Sequence, residues 1–214
     1  MKLEIDISLL DNDFKRTIID DKERNKLIRD TEKIIRRSPE YRRYIKYLLT
    51  EVNIKKCSFL KNIDKDDDIT IEFHHYPFSL YDLVEIVLIK SIAEKKTVKF
   101  NTFELANEVM FIHFQNLVGL VPLTKTLHQL AHQNALRIPF YKVYGKVKEF
   151  VEKYGDYFTE ELIISYTEAS RKDKGIEKLE NKEILDTSDR IEIEHKGKLT
   201  WKNIKLLVNT EEKN

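Results

Sequence analysis

The sequence predicts a mixed α+β protein that is mostly helical. Only five glycines and four prolines occur among 214 residues, which favours long helices over many tight turns. Several segments carry apolar residues at helical spacing, and two short segments have the character of strands. Hydrophobic residues make up 41% of the chain, enough for a packed core in one domain or in a small core with appendages.

Composition excludes several classes of protein. The 38 basic residues nearly cancel the 37 acidic ones, so any contact with a polyanion must be local. Cys57 is the only cysteine, which rules out a disulfide framework and cysteine-based zinc ribbons, and we interpret it as a small buried hydrophobe. No signal peptide is visible, and the most apolar stretch, residues 80–93, is too short and too charged to span a membrane. We expect a soluble cytoplasmic protein with no membrane contact.

The first third of the chain predicts two helices. Residues 20–37 place apolar side chains on one stripe. Ser38 can cap the second helix, Pro39 suits its first turn, and its aromatic and aliphatic side chains through residue 52 fall on one face. The densest basic cluster of the chain lies where these helices meet, and it consists of Arg36, Arg37, Arg42, Arg43 and Lys46. This cluster is either a solvated helix face or a patch that contacts phosphates.

The middle of the chain predicts a strand followed by two helices. After an acidic loop at residues 64–68, residues 69–74 alternate with the period of a strand, which Pro77 ends. The next helices are expected at residues 79–93, with Asp82 three residues after the Ser79 cap, and at residues 101–115.

The last part begins with a second strand, at residues 117–123. Thr124 can cap a helix that we expect to run to about residue 137, before Pro139. Helices follow at residues 146–154 and 159–170, then a polar segment at 171–189 and a terminal hairpin over 191–201. We divide the chain into an N-terminal helical region (1–63), a core (64–138) with an insertion (79–115), and a C-terminal region (139–214).

Four of the six histidines lie in two short segments, which predicts a metal site. His74 and His75 end the first strand, whereas His128 and His132 are four residues apart and share one face of a helix. One strand histidine beside that helical pair gives three imidazole ligands and an open coordination position. This is the layout of a catalytic site, because a structural zinc site uses a fourth protein ligand.

The order of strand ending in His-His, second strand and helix with His-xxx-His resembles the HNH (ββα-metal) endonucleases, in particular the colicin-DNase-like type without cysteines. Residues 119–124, Gly-Leu-Val-Pro-Leu-Thr, resemble the second strand of that family, Asn-Leu-Val-Pro-Leu, and the resemblance covers residues 69–136. It implies a ββα-metal core, one divalent metal ion (zinc, magnesium or similar) held by His74, His128 and His132, and His75 as general base. Three histidines favour a zinc-like or nickel-like ion.

Two departures from that family concern the base and the connection between the strands. Gly119 stands where the family has the asparagine that orients the base. Asn116 is a possible substitute if a bulge brings it to the right face, and if the missing asparagine limits the rate, Gly119→Asn should raise cleavage. The connection from His75 to Gly119 is much longer than the loop usual in the family and contains two predicted helices. His113 falls on an apolar helix face, which favours a core or supporting residue over a ligand, and we expect His195 to be solvated.

The resemblance implies a metal-dependent endonuclease that hydrolyses DNA. The alternative is a non-catalytic protein that keeps this fold and binds nucleic acid or another protein, for example in phage assembly. A third interpretation is an all-helical interaction protein whose histidines are unrelated in space. The Lys-, Ile- and Asn-rich composition suits a low-GC bacterium or its phage, which would place the protein in the host cytoplasm. Neither the oligomeric state nor a preference for DNA over RNA follows from the sequence.

Overall fold

A small antiparallel sheet lies among seven α-helices in the part of the chain that the computed structural model describes, residues 20–61, 69–94 and 101–171. The prediction of a mostly helical α+β protein is therefore confirmed. In chain order the elements are α1 (Asp21–Arg37), α2 (Pro39–Thr50), β1 (Ile71–His75), α3 (Leu80–Ala93), α4 (Thr102–Phe114), β2 (Leu120–Thr124), α5 (Lys125–His132), α6 (Val147–Tyr154) and α7 (Glu160–Arg171). Short 3-10 turns occupy Phe140–Lys142 and Gly155–Tyr157.

The beginnings of the helices lie where their capping residues predict them. The hydroxyl of Ser38 accepts a hydrogen bond from the backbone N–H of Tyr41 at 3.0 Å, and Pro39 occupies the first turn of α2. Ser79 and Asp82 form a reciprocal capping box at the start of α3. Each of these side chains satisfies a backbone donor that has no partner within its helix.

The turns that follow two helices correct the predicted start of β2 and the predicted end of α5. Asn116 and Asn134 have φ values of 54° and 55°, in the left-handed region that ends a helix. After α4, the N–H of Asn116 donates to the carbonyl of His113 and the N–H of Leu117 donates to that of Ile112. The strand expected from residue 117 therefore begins at 120. Asn134 likewise ends α5 at His132, five residues before the predicted end.

The two strands pair in a regular register. β1 runs antiparallel to β2, from Ile71 opposite Thr124 to His75 opposite Leu120, with no extra residue between these pairs. The possible bulge in the second strand is thus absent from this sheet. α5 packs against both strands, while α1 packs against α3 and α4. All these elements contribute to one hydrophobic core, in which Cys57 is fully buried as predicted.

Several predicted segments lie outside the described residues. They are the acidic loop at 64–68, most of the polar segment at 171–189, and the terminal hairpin at 191–201 with His195 and Trp201. Among the residues that are described, no helix combines the length and the apolar character that crossing a membrane requires.

Candidate metal centre and the adjoining histidine pair

Three histidines converge where β1 meets α5. His74, His128 and His132 each offer a ring nitrogen, and these three atoms lie within 4.8 Å of one another. The Nε2 atoms of His128 and His132 are 3.1 Å apart, close to the separation of roughly 3.3 Å for two nitrogens bound tetrahedrally to zinc at about 2.0–2.1 Å. The interpretation of an all-helical protein with unrelated histidines is therefore wrong, and the spacing suits a single ion.

Strand and helix periodicity bring these rings together. In β1, Ile71, Phe73 and His75 are buried, whereas Glu72 and His74 alternate with them and are half-buried on the other face. That second face meets α5, whose residues His128 and His132 are one turn apart. The centre therefore depends on one strand face and one helix face that are far apart in sequence.

Glu72 is a member of this centre that the sequence analysis did not identify. Its Oε2 accepts a hydrogen bond from Nδ1 of His128 at 2.5 Å. When the carboxylate accepts from Nδ1, a neutral His128 ring has its lone pair on Nε2, the nitrogen that lies next to His132. Carboxylates often hold metal-binding histidines in this manner. The signal was available in the sequence, since Glu72 is two residues before His74 and shares its strand face.

The electrostatics of the cluster suit cation binding. Burial lowers the pKa of His74 to about 4, and the neighbouring His128 and His132 contribute in the same direction. Burial, with His128 beside it, also lowers the pKa of His132. Both rings are therefore neutral at pH 7, the form that binds metals. Nδ1 of His74 is buried with no hydrogen-bond partner among the described residues, and a buried polar atom of this kind is expected to have one.

His75 points to the opposite face of β1 and meets another histidine. Its Nε2 lies 3.0 Å from Nε2 of His113 in α4. Nδ1 of His113 lies 2.7 Å from the carbonyl oxygen of Val109, one turn earlier in the same helix. Tyr41 stacks on His75, and Tyr44 packs edge-on against His113. The histidine pair is therefore enclosed by α2, α4 and β1, and His113 is completely buried.

Gly119 and Asn116, the two positions proposed for the role of the family's asparagine, have other structural roles in this protein. Gly119 immediately precedes β2, and its carbonyl accepts the N–H of Tyr76 at 3.0 Å. A Cβ atom on Gly119 would lie 1.9 Å from the carbonyl oxygen of Tyr76, so no side chain fits there. Asn116 forms the turn after α4, and its buried Oδ1 has no hydrogen-bond partner among the described residues. Neither residue orients His75.

A cavity of about 270 Å³ lies beside the three converging histidines and His75. Its lining includes His74, His75, His128 and His132, together with Arg36 from the end of α1. All five residues of the predicted basic cluster are exposed, but Arg36 is the member that reaches this cavity. Arg37 lines a separate cavity between α1 and α4. The structure thus associates one arginine of the cluster with the histidines.

A family model described as "Bacteriophage G278-like virion protein" matches residues 2–198, nearly the whole chain. No curated protein and no solved structure matches the chain.

Proposed function

The chain belongs to the bacteriophage G278-like virion protein family, and we propose that it is a metal-dependent endonuclease of the HNH type that acts on DNA. The observation that carries this proposal is the convergence of His74 with His128 and His132, while His75 borders the same cavity from the other strand face. Membership in a virion protein family favours a component of the phage particle.

The residues present fit a divalent cation. His74, His128 and His132 would be its ligands, and Glu72 would hold His128 with Nε2 available to it. When bound, such an ion would supply positive charge that stabilises the negative charge developing during phosphodiester hydrolysis. Three neutral imidazoles leave that charge uncompensated and favour a zinc-like ion. In this proposal the ion would be the partner of Nδ1 of His74, which is buried without a hydrogen-bond partner among the described residues. A ββα-metal core made of β1, β2 and α5 is part of this proposal.

His75 would be the general base. A neutral ring nitrogen of His75 takes a proton from the attacking water, the water oxygen forms a bond to phosphorus, and the bond from phosphorus to the leaving oxygen breaks. Burial holds the pKa of His75 well below its ordinary value, and the adjacent His113 lowers it further. The ring is therefore unprotonated at pH 7, the state in which a general base begins the reaction.

Arg36 would contact a phosphate of the DNA. Its guanidinium is half exposed and lies 3.6 Å from Glu32, a surface ion pair that gives way at little cost. Arg37, Arg42, Arg43 and Lys46 are also exposed and would add to this basic surface. Phosphate contacts release counterions, so this surface would make DNA binding dependent on salt.

The test is nicking of supercoiled plasmid by the full chain purified without a histidine tag and supplied with zinc, magnesium or nickel. We expect His75→Ala to retain metal and lose cleavage, and His128→Ala to lose both. His195→Ala is the matched control, which should retain both. Cleavage that persists in His75→Ala contradicts the assignment of the base. Absence of metal from the wild-type protein, even after supplementation, contradicts the centre itself.

A second candidate function is a non-catalytic, protein-binding component of the particle. Phe103, Phe111 and Phe114 lie on one side of α4 and are 66%, 56% and 49% exposed. Exposed aromatic side chains in one area are typical of protein interfaces. Metal binding without cleavage by any variant would favour this candidate. Its own test is Phe103→Ser with Phe111→Ser, which should abolish incorporation into particles and leave the metal content unchanged.

A further inference from the structure

We infer that His113 fixes the ring orientation and the tautomer of His75, so that Nδ1 of His75 is the nitrogen that receives the proton from water. This inference rests on the nuclease function proposed above. It assigns to His113, in α4, the role of orienting the base. A side chain at position 119 cannot have this role, because Gly119 lies against the Tyr76 carbonyl.

The hydrogen-bond chain determines which nitrogen carries which proton. A carbonyl oxygen only accepts, so the 2.7 Å contact with Val109 places a proton on Nδ1 of His113. His113 is fully buried, and burial lowers its pKa to about 4, so the ring is neutral at pH 7. A neutral ring has one N–H, and Nε2 of His113 therefore has a lone pair.

The partner nitrogen must then donate. Nε2 of His75 lies 3.0 Å from Nε2 of His113, and it therefore supplies the N–H of the bond. A neutral His75 consequently has its own lone pair on Nδ1. The Tyr41 and Tyr44 rings on the pair restrict rotation, so the ring has little freedom to exchange its two nitrogens.

The proton balance makes His113 a positioning residue. During cleavage one proton moves from water to Nδ1 of His75, and the ring becomes an imidazolium with an N–H on both nitrogens. Nε2–H remains bonded to His113, which neither gains nor loses a proton. The hydroxide oxygen bonds to phosphorus, and the leaving oxygen departs with the electron pair of the broken bond.

The first experiment is ¹⁵N NMR of the wild-type protein labelled at histidine, with His113→Gln used to assign the two rings. We expect His75 to have its proton on Nε2 and His113 on Nδ1, each as a single tautomer. A His75 ring with its proton on Nδ1, or with the tautomer mixture of free imidazole, would overturn the inference. This measurement requires neither bound metal nor cleavage.

The second experiment compares two substitutions by their nicking rates. His113→Gln keeps an acceptor oxygen for the Nε2–H of His75, whereas His113→Phe fills the volume without one. We expect His113→Phe to lower kcat by about 100-fold, within the range of general-base effects, with KM and metal content unchanged. His113→Gln should recover most of that loss. Equal rates in the two variants would mean that His113 only fills space.

The outcomes separate this inference from the nuclease proposal. Wild-type protein that shows the expected tautomers but cleaves nothing refutes the nuclease and leaves the assignment of the histidine pair intact. Full activity in His113→Phe refutes the positioning role and leaves the nuclease intact. If His113→Phe does not fold, the NMR of the wild-type protein decides.

Discussion

Glu72 and His128 share the shortest hydrogen bond of the candidate centre, 2.5 Å between Oε2 and Nδ1. We expect Glu72→Ala to weaken metal binding about 10- to 100-fold, because His128 loses the group that fixes its tautomer and orientation. Competition with a metal-binding dye gives the affinity. Glu149→Ala is the control, since Glu149 pairs with Lys146 on the exposed side of α6. An unchanged metal affinity in Glu72→Ala would show that Glu72 does not support metal binding.

Gly119 gives a second expectation for a single residue, and it reverses one drawn from the sequence. With 1.9 Å between a built Cβ and the Tyr76 oxygen, Gly119→Ala should lower the free energy of unfolding by roughly 2–4 kcal/mol, as backbone displacements in cores do. Gly119→Asn meets the same oxygen and should lose stability and activity rather than gain cleavage. Urea unfolding measures the change.

Gly155 provides the control for this substitution. A Cβ atom there would lie 3.8 Å from Val151, an ordinary contact. Its φ of −60° suits any residue. Gly155→Ala should therefore change the free energy of unfolding by less than about 0.5 kcal/mol. A Gly119→Ala protein as stable as Gly155→Ala would contradict the close approach described for Gly119.

At the scale of elements, the helix beginnings agreed with their capping residues, and the end of α5 was the helix boundary that differed most from its prediction. A capping side chain such as Ser38 or Ser79 bonds a backbone N–H three residues away, so its signal is local. The ends at Asn116 and Asn134 use asparagine in the left-handed conformation where glycine is usual. Asparagine is also common at caps and turns, and its position alone therefore gave no boundary.

The end of α5 can be tested because His132 is two residues from Asn134. We expect Asn134→Ala to lower the free energy of unfolding by about 1 kcal/mol, because a Cβ-bearing residue without asparagine's tolerance is strained at a φ of 55°. Asn134→Gly should preserve or raise stability. Asn107→Ala, at an exposed position within α4, is the control and should raise stability slightly. Equal effects of alanine and glycine at position 134 would contradict this account.

Local patterns predicted one histidine group and not the other. The i, i+4 spacing of His128 and His132, with a histidine at the end of a strand, identified the three residues that the structure brings together. The same alternation places Glu72 on the strand face of His74, although the spacing of the histidines does not point to it. The bond between His75 and His113 joins residues 38 apart. It depends on how the helices between the strands pack against β1, which no local spacing encodes.

For the molecule as a whole, the buried histidines imply sensitivity to acid. His113 has a pKa of about 4 when folded against an ordinary value of 6.5, so the unfolded chain binds protons more readily between these values. The contribution of neutral His113 to the free energy of unfolding is therefore complete above pH 6.5 and is lost as the pH falls towards 4. For a shift of this size it amounts to about 3 kcal/mol.

The measurement is urea unfolding of metal-free protein between pH 7.5 and 4. We expect the free energy of unfolding to fall with decreasing pH. His113→Gln should make this fall less steep, by an amount that corresponds to at most one fewer proton taken up on unfolding. His195→Ala serves as the control for removal of an imidazole. Identical pH dependence in wild type and His113→Gln would show that His113 is protonated equally well in the folded and unfolded states.

α4 faces two ways. Its inner side carries His113, and its outer side carries Phe111 and Phe114, within about 3 Å of His113 along the helix axis. A partner that binds Phe111 and Phe114 contacts the same helix, α4, whose His113 aligns the ring of His75. If the nuclease and the positioning role are both correct, docking of the partner and alignment of the His75 ring are coupled through α4. A displacement of α4 that favours docking then changes the free energy of ring alignment, and alignment changes the free energy of docking by the same amount. Catalysis in such a particle component would then report whether the particle is assembled.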